Sequence, residues 1–406
     1  MDAVPCEVLV AAGEASADNH AAEVLEALRA RRSQLRAFGV GGARLRAAGL
    51  EALVRAEDMG VAGLTEVLTA LPRIWGYLRR LEAEAARRRP QVALLLDMPD
   101  FNLRLAKRLK ALGIRVIYFI GPQLWAWREG RIESVRKFVD EMLVVLPFEE
   151  AYYRARGVPA RFVGHPSVGQ VFGGQEALPE RQARERLGLA KGAERGSWLA
   201  LLPGSRRQEL RRHLPTMLDS LALLRRQGHD VHGLLPVAHT LPLAEVERCV
   251  AAARQRHGAR LPVTLVDGRA HEVLAASDAA VVCSGTATLE AALVGRPMVV
   301  VYRVSWLSWW LLRLLVRVAH VALVNIIARR EVVPELLQGA MRPGAIADAV
   351  RPLLKSEPAR ARMRRDLFAI RRQLSDKRPA HLVASALLAQ VDAAAAGRHG
   401  GEARVA

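Results

Sequence analysis

The segment 279–302 constrains the fold of this chain more than any other stretch. It begins with an apolar run, Ala279–Cys283, passes through a turn of small residues at 284–286 into a helix-forming segment that stops at Gly295, and ends in a second apolar run, Met298–Tyr302. Apolar runs this short are typical of buried strands. The pattern therefore predicts a strand–helix–strand unit with a right-handed crossover, as found in parallel sheets.

The turn of this unit predicts an anion site. Ser284, Gly285 and Thr286 stand where the helix begins, and unpaired N–H groups together with the positive end of the helix dipole attract phosphate there. Glu290, about one helical turn further along, is placed to reach a ribose hydroxyl. The alternative is that Ser284 or Thr286 only caps the helix.

Strands and helices alternate along the chain in two series. The first series has apolar runs at 7–12, 35–40, 92–96, 116–120 and 142–146, and the second at 198–202, 231–235, 263–266, 279–283 and 298–302. Such alternation predicts α/β architecture, with parallel sheets covered by helices on both faces. We therefore expect one doubly wound domain over residues 1–170 and a second over 171–345, joined within 173–196. Residues 346–392 are expected to form helices that pack back on the N-terminal domain or on a partner chain, and 393–406 a disordered tail.

Polar residues stand where the strands end, which is where open parallel sheets bind ligands. In the first series these are Glu14, Asp97, Asp100, Asn102 and the segment 121–125, and in the second Ser205, Arg206, Ser284, Gly285, Thr286, Asn325 and Arg330. The first set offers carboxylates, amides and aromatic rings, whereas the second offers arginines, hydroxyls and two helix N-termini. This division predicts an acceptor half and an anion-binding half that face each other across a cleft.

Carboxylates of the first half are candidates for a general base. Asp97 and Asp100 flank Pro99, and Asp100 either takes a proton from a hydroxyl or caps the helix that follows. Glu14 poses the same choice. His165 precedes a proline between the two domains, where a structural role and a ligand contact both stay open.

Arg206 follows a Gly-Ser turn directly after a strand, a position suited to holding a diphosphate. The alternative is that Arg206 is a surface residue of the run that includes Arg207, Arg211 and Arg212. Its place at a strand end favours the diphosphate.

The formal net charge of +19 favours a phosphorylated substrate, an anionic membrane or nucleic acid as partner. No sequence signature of a DNA- or RNA-binding module is present, which disfavours nucleic acid. The three cysteines lack metal-ligand spacing, and their odd number fits a reducing cytosol. Residues 1–10 lack the pattern of a signal peptide, and no uncharged apolar run is long enough to cross a membrane.

Two stretches combine apolar and basic side chains in the manner of a membrane-surface segment. One covers residues 64–78 with neighbouring arginines, and the other covers 306–317 and contains three tryptophans. The alternative for each is a helix that faces the core.

Seven motifs in order resemble the lipid-A-disaccharide synthase family. They are GEASAD at 13–18, DMPDFN at 97–102, WAWR at 125–128, GHP at 164–166, LPGSR at 202–206, SGTATLE at 284–290 and NIIARRE at 325–331. Each motif alone is weak, but seven in order are specific, and the resemblance extends from about Glu7 to Arg378. The chain departs from the family pattern at Ala17, where glycine is usual, and at Gly121, where serine is usual.

The resemblance implies a glycosyltransferase of the GT-B arrangement, in which two Rossmann-like domains face each other. The N-terminal domain would bind the lipid acceptor and the C-terminal domain the UDP-sugar. Enzymes of this family join UDP-2,3-diacylglucosamine to 2,3-diacylglucosamine 1-phosphate, giving a β-1,6-linked disaccharide 1-phosphate and UDP with inversion of configuration. The acyl chains would account for the apolar stretches and place the enzyme on the inner face of the inner membrane without crossing it. No cofactor or metal is expected, and a homodimer stays open.

The resemblance also implies roles for the residues at the strand ends. Asp100 is the expected general base, with Glu14 as its rival. Arg206, the helix start at Ser284–Thr286 and Arg330 are expected to stabilise the leaving UDP. Glu290 would hold the ribose, and Asn325 would contact the nucleotide or its phosphates. The residues expected to bind the UDP moiety are Ser205, Arg206, Ser284, Gly285, Thr286, Glu290, Asn325 and Arg330.

Two other interpretations remain. One is another two-domain sugar-nucleotide enzyme, such as a UDP-N-acetylglucosamine transferase or 2-epimerase, which would not need acylated substrates. The other is a basic protein that binds membrane or nucleic acid without catalysis, whose function would not depend on Arg206.

Overall fold

The computed structural model describes residues 6–59, 64–172, 178–189, 196–259, 261–306, 309–310, 319–375 and 377–402. The chain divides into two compact units. Unit 1 consists of Met1–Pro166 and Asp376–Ala406, and unit 2 of Ser167–Ser375.

The described part of unit 1 is built on a seven-stranded parallel sheet. Its strands are β1 (Glu7–Ala12), β2 (Arg36–Gly41), β3 (Glu51–Arg55), β4 (Val92–Leu96), β5 (Arg115–Phe119), β6 (Glu141–Val144) and β7 (Ala160–Phe162). They lie in the order β3-β2-β1-β4-β5-β6-β7, so the order reverses between β1 and β4. All five side chains of β4 are buried, as expected for a central strand that is covered on both faces.

Helices connect these strands. They are α1 (Ala15–Arg29), α2 (Ala43–Ala47), α3 (Leu64–Arg88), α4 (Pro99–Ala111), α5 (Ile132–Phe138) and α6 (Pro147–Arg154). The helix α3 packs against α4, and from Pro72 onward its side chains alternate between a buried face with Leu78 and an exposed face with Trp75.

The described part of unit 2 is built on a six-stranded parallel sheet. Its strands are β8 (Ser197–Leu202), β9 (Val231–Val237), β10 (Val263–Asp267), β11 (Ala279–Cys283), β12 (Met298–Tyr302) and β13 (Glu335–Leu337). They lie in the order β10-β9-β8-β11-β12-β13, which reverses between β8 and β11.

The helices of unit 2 surround its sheet. They are α7 (Ser167–Phe172), α8 (Glu180–Arg186), α9 (Arg207–Arg226), α10 (Leu243–His257), α11 (Ala270–Ala276), α12 (Thr286–Val294), α13 (Leu323–Ala328), α14 (Pro343–Lys355) and α15 (Glu357–Ser375). The apolar faces of α9 and α14 meet over the sheet, where Leu214, Met217 and Val350 are fully buried in one core cluster.

The chain returns to unit 1 as α16 (Pro379–Glu402), which packs against α1. Arg31 donates to the hydroxyl of Ser385, and Arg32 pairs with Asp392. The segment 346–392 is thus divided between the units, because α14 and α15 stay in unit 2. The helix α16 also includes residues 393–402 of the segment for which a tail is expected.

The predicted α/β fold class, two doubly wound parallel sheets, is confirmed. The strands absent from the sequence prediction are β3, β7 and β13, each at an edge of its sheet. An edge strand pairs on one side only and is less covered, so its sequence need not be a continuous apolar run. The three residues of β13, for example, are all only partly buried.

No helix in the described ranges is at once long and apolar enough to cross a bilayer. Of the stretch 306–317, only residues 306, 309 and 310 are described, and the rest lies outside the described residues. The stretch 64–78 forms the first part of α3, with residues 64–71 outside the described side chains.

Candidate active site

The loops after β1, β4 and β5 meet at the carboxyl edge of the unit 1 sheet. Ala12 pairs with Leu96, so Gly13 and Asp97 follow side by side. The Asp97 amide donates to the carbonyl of Ile120, the residue after β5, at 3.3 Å. The strand order reverses here, and doubly wound sheets bind their ligands at such a reversal.

The loop after β4 has a strained backbone at its first two residues. Asp97 and Met98 have φ values of 52° and 42°, in the left-handed region that costs a non-glycine residue roughly 1–2 kcal/mol. The buried side chain of Asn102 holds them there, since its Nδ2 donates to the carbonyls of Leu96 at 2.9 Å and Asp97 at 2.8 Å. Gly13 makes room for this loop, because a Cβ on Gly13 would lie 2.4 Å from Sδ of Met98.

The two aspartates of this loop have different environments. Burial raises the pKa of the Asp97 carboxyl above its usual value, an effect that its hydrogen bond from the Met98 amide opposes. The Asp100 side chain is 68% exposed and pairs with both Arg131 and Arg128. A carboxylate accepts a proton more readily when its pKa is raised. The buried Asp97 is therefore a candidate for the general base beside Asp100, which the sequence prediction preferred and which stays a prediction.

Glu14 is exposed at the residue before α1, and its carbonyl accepts from the Asp18 amide at 2.8 Å. Glu14 thus follows Gly13, which lies next to Asp97 at the ends of the paired strands β1 and β4. Asp18, in the same motif, has a structural role that sequence analysis missed. Its buried carboxylate accepts from the amides of Gly42 at 2.6 Å and Arg44 at 3.0 Å, so it caps α2.

The loop at 121–127 is fixed by two buried residues of α6. The indole Nε1 of Trp125 donates to Glu149 at 3.0 Å, and the hydroxyl of Tyr153 donates to the carbonyl of Pro122 at 2.6 Å. Burial raises the pKa of Glu149, while its hydrogen bonds from Trp125 and the Leu146 amide oppose that shift. Sequence analysis missed Glu149, a buried carboxylate in the first turn of α6.

His165 is buried at the end of unit 1. Burial lowers the pKa of its imidazole to about 4, and the nearby His20 adds to the effect. The ring is therefore neutral at physiological pH. The burial of His165 favours a structural role over a ligand contact, because a buried ring offers little surface to a ligand.

In unit 2, the loops after β8, β11 and β12 lie side by side. Leu202 pairs with Val282, and Cys283 pairs with Val301. Burial raises the pKa of the Cys283 thiol, and Arg206 is close enough to act in the opposite direction. The register thus brings two of the predicted anion-binding turns together.

The N-terminus of α9 is occupied by the chain's own carboxylate. Oε2 of Glu209 accepts from the amides of Ser205 at 3.1 Å and Arg206 at 3.2 Å. Gly204, with φ of 110°, allows this, since a Cβ there would lie 2.3 Å from the same oxygen. The amides of Ser205 and Arg206 are thus already paired within the chain, and the contact of Ser205 with UDP stays a prediction. The Arg206 side chain, by contrast, is 81% exposed.

The N-terminus of α12 is open in the described structure. No described side chain caps it, and apart from residues 284–286 no described heavy atom lies within 4 Å of where a Cβ on Gly285 would be. The hydroxyl of Ser284 donates to the carbonyl of Val321 at 3.1 Å, and Thr286 is exposed. The capping alternative is therefore not realised, and the arrangement fits an anion at this turn.

Glu290 lies one turn into α12 and pairs with His271 of α11. Nε2 of His271 is 3.2 Å from Oε2 of Glu290, and both side chains are partly exposed. This carboxylate is thus held near the open turn, where it can accept a hydrogen bond from a ribose hydroxyl.

Asn325 has no free hydrogen-bonding atom. Its Nδ2 donates to the carbonyl of Val333 at 2.9 Å and to Glu335 at 2.7 Å, and its Oδ1 accepts from the amides of Val332 and Val333. The side chain is fully buried. The expected contact of Asn325 with the nucleotide therefore does not fit, and its role is to fold the loop before β13.

Arg330 lies away from the open turn. It pairs with Asp366 of α15 at 2.7 Å and lines a cavity with Pro334, Pro352 and Met363. Since Pro334 directly precedes β13, this cavity is at the amino edge of the sheet, opposite the strand ends. The expected contact of Arg330 with UDP is therefore not supported.

Within the ranges that the structure describes, no group of three or more His, Cys, Asp or Glu side chains is arranged to hold a metal ion. Among the described residues, the α12 N-terminus and Arg206 both contribute positive charge near the open turn. These two, with Glu290, form the part of the predicted donor site that the structure brings together.

Comparisons with known proteins agree on one family. The family model described as "Lipid-A-disaccharide synthetase" matches residues 8–388. The lipid-A-disaccharide synthase of Anaeromyxobacter sp. (strain K) is 52% identical over 370 residues, covering 91% of this chain and 94% of that protein. The lipid-A-disaccharide synthase of Myxococcus xanthus (strain DK1622) is 49% identical over 384 residues, covering 95% and 97%.

Solved structures agree on the fold. The glycotransferase of kitacinnamycin matches with a TM-score of 0.62 at 16% sequence identity, covering 96% of this chain and 100% of that one. At this identity the match supports the GT-B type of fold, two Rossmann-like domains, and nothing about the substrate.

Proposed function

Because the chain belongs to the lipid-A-disaccharide synthase family, we infer that it joins UDP-2,3-diacylglucosamine to 2,3-diacylglucosamine 1-phosphate. The products are the β-1,6-linked disaccharide 1-phosphate of lipid A biosynthesis and UDP. The observation that carries this inference is the family match from residue 8 to residue 388, which includes both units.

We assign the binding of the UDP-sugar donor to unit 2. The open N-terminus of α12 would receive the diphosphate, because its unpaired amides and dipole favour negative charge. The exposed guanidinium of Arg206 would neutralise charge on the departing UDP. Glu290, held by His271, would accept hydroxyl hydrogens from the ribose.

Unit 1 is assigned the acceptor and the general base. Asp97 would take the proton of the acceptor's 6-hydroxyl while that oxygen forms a bond to the anomeric carbon of the donor. The bond from this carbon to the diphosphate oxygen breaks, and its electron pair leaves with UDP. The raised pKa of Asp97 supports the assignment, with Glu14 in the adjacent loop as the second candidate.

Stabilisation of the leaving group is proposed to need no metal. The helix N-terminus and Arg206 are fixed positive groups, and such groups can act on a developing charge without an ion. We expect EDTA to leave the rate of transfer unchanged, and a loss that Mg²⁺ restores would contradict this.

The lipid substrates imply contact with the inner face of the inner membrane. In unit 1, the exposed ring of Trp75 lies beneath Arg108 at 5.5 Å and Arg104 at 5.8 Å. In unit 2, Trp306 and Trp310 are exposed. Tryptophan beside arginine suits the membrane interface, and the net charge of +19 favours anionic lipid.

The decisive experiment mixes UDP-2,3-diacylglucosamine with the monosaccharide 1-phosphate and follows the disaccharide 1-phosphate by mass spectrometry. Formation of that product only with acylated donor supports the proposal. Equal release of UDP from UDP-N-acetylglucosamine, or its epimerisation, would instead support the other sugar-nucleotide enzymes.

A further inference from the structure

His213 connects two strand-end loops of unit 2. It is fully buried on α9. Its Nδ1 lies 2.9 Å from the carbonyl oxygen of Pro203, directly after β8, and its Nε2 lies 3.0 Å from the amide nitrogen of Arg303, directly after β12. The ring thus joins two loops that are far apart in sequence.

These two partners define the protonation of the ring. The Pro203 carbonyl can only accept, so Nδ1 carries the hydrogen, and the Arg303 amide can only donate, so Nε2 carries a lone pair. The neutral ring satisfies both bonds, and burial lowers its pKa. The charged groups that face it are Glu209, one turn earlier on α9, and the Arg303 guanidinium.

Packing alone does not account for histidine at this position. Its neighbours on the buried face of α9 are Leu210, Leu214 and Met217, and an apolar side chain would fill the same space without burying polar atoms. What the imidazole adds is two directed hydrogen bonds. Both go to the backbone at the edge where β8 and β12 end.

We propose that His213 is a positioning residue for donor binding, which fixes the loop of Pro203 relative to the loop of Arg303 and thereby sets where Arg206 is presented. Arg206 is three residues from Pro203, so a shift of that carbonyl moves the guanidinium. The Arg303 side chain in turn holds the end of β13, donating to the carbonyls of Gln338 at 3.3 Å and of Met341. The inference rests on the proposed role of Arg206 at the diphosphate.

The test compares His213→Leu, His213→Asn and His213→Gln in the full-length enzyme. Leucine fills the space without either bond, asparagine keeps a donor near Nδ1, and glutamine keeps an acceptor near Nε2. UDP affinity is measured by calorimetry, and KM for donor and acceptor by kinetics. His232→Leu is the matched control, because His232 is a partly buried ring on β9 that bonds to Thr264.

We expect His213→Leu to weaken UDP binding about tenfold and to raise KM for the donor but not for the acceptor. The asparagine and glutamine variants should each recover part of the loss, and the control should bind UDP normally. In an Arg206→Ala background, the effect of His213→Leu should largely disappear, since both act through the same side chain.

Normal UDP affinity in a folded His213→Leu protein would overturn the proposal, as would a full tenfold loss that persists in the Arg206→Ala background. If leucine prevents folding, the asparagine and glutamine variants decide: unchanged donor KM in both would overturn it. The proposed function fails separately, when the unaltered enzyme forms no disaccharide 1-phosphate from the acylated donor and acceptor.

Discussion

Nε2 of His271 lies 3.2 Å from Oε2 of Glu290, so the end of β10 and the end of β11 contribute to one polar pair. His271 is the second residue of α11, and Glu290 lies one turn after the start of α12. A carboxylate held in this way keeps one oxygen toward the ring and offers its remaining lone pairs to a ligand.

Glu290→Gln is expected to weaken UDP binding about tenfold, because a neutral amide accepts hydroxyl hydrogens less strongly than a carboxylate. Calorimetry with UDP and with 2′,3′-dideoxy-UDP checks the cause. The variant should bind the two nucleotides equally, whereas the unaltered enzyme should prefer UDP. An equal loss for both nucleotides would exclude a ribose contact.

Asp97→Asn is expected to lower kcat by about 10³-fold, within the range typical of a lost general base. Asp100→Asn is the matched control in the same loop and should lose less than about tenfold, because Asp100 is exposed and paired with two arginines. Single-turnover rates at saturating donor provide the measurement. If Asp100→Asn is inactive and Asp97→Asn is not, the general base is Asp100.

The pH profile should show the raised pKa of Asp97. The base acts only when deprotonated, so kcat falls as the pH drops through its pKa. Since burial raises that pKa, the fall should begin at a higher pH than the usual aspartate value of about 3.9 allows. The residual activity of Asp97→Asn should lack this fall of kcat at low pH. If the fall is unchanged in the variant, another group causes it.

Arg206→Ala is expected to lower kcat by about 10²-fold or more, as when a group that stabilises transition-state charge is removed. Arg207→Ala is the control, because Arg207 is the adjacent exposed arginine and lies 3.7 Å from Glu245. Initial rates of disaccharide formation distinguish the two. Similar losses in both variants would mean that general surface charge, and not the position of Arg206, matters.

Trp306→Glu combined with Trp310→Glu is expected to reduce binding to vesicles of phosphatidylethanolamine and phosphatidylglycerol about tenfold, as is Trp75→Glu. Leu243→Glu is the control, since Leu243 is an exposed leucine without a neighbouring tryptophan or arginine stack in the described structure. Flotation assays give the bound fraction. Unchanged binding in the tryptophan variants would remove those residues from the membrane contact.

The positions of the strand ends could be predicted from the sequence because buried central strands are continuous apolar runs. The open turn at Ser284–Gly285 and the exposed Arg206 follow from the same pattern, since residues after such runs lie at the ligand edge. What a polar side chain contacts there depends on residues that are distant in the sequence or that fold back locally. The amides of Ser205 and Arg206 are taken by Glu209, which strand ends alone do not predict.

Asn325 and Asp97 show two properties that the sequence does not reveal: the partners of a polar side chain and the depth of its burial. The side-chain amide of Asn325 forms hydrogen bonds with Glu335 and with the loop before β13. The strand β13 is a short edge strand without a sequence signal. The raised pKa of Asp97 depends on how deeply its loop is buried, and burial depends on three strands that come together only in the fold. Sequence spacing alone does not show this difference in burial between Asp97 and Asp100.

The carboxylate of Glu209 at the start of α9 has a consequence for inhibitors. Consider a compound with two acidic groups, one at the start of α9 and one at the start of α12. Its group at α9 would be repelled, because the carboxylate of Glu209 already accepts hydrogen bonds from those amides. Selective analogues of the donor should therefore carry acidity at one end only and offer Glu209 a hydrogen-bond donor, such as a primary amine or amide, at the other.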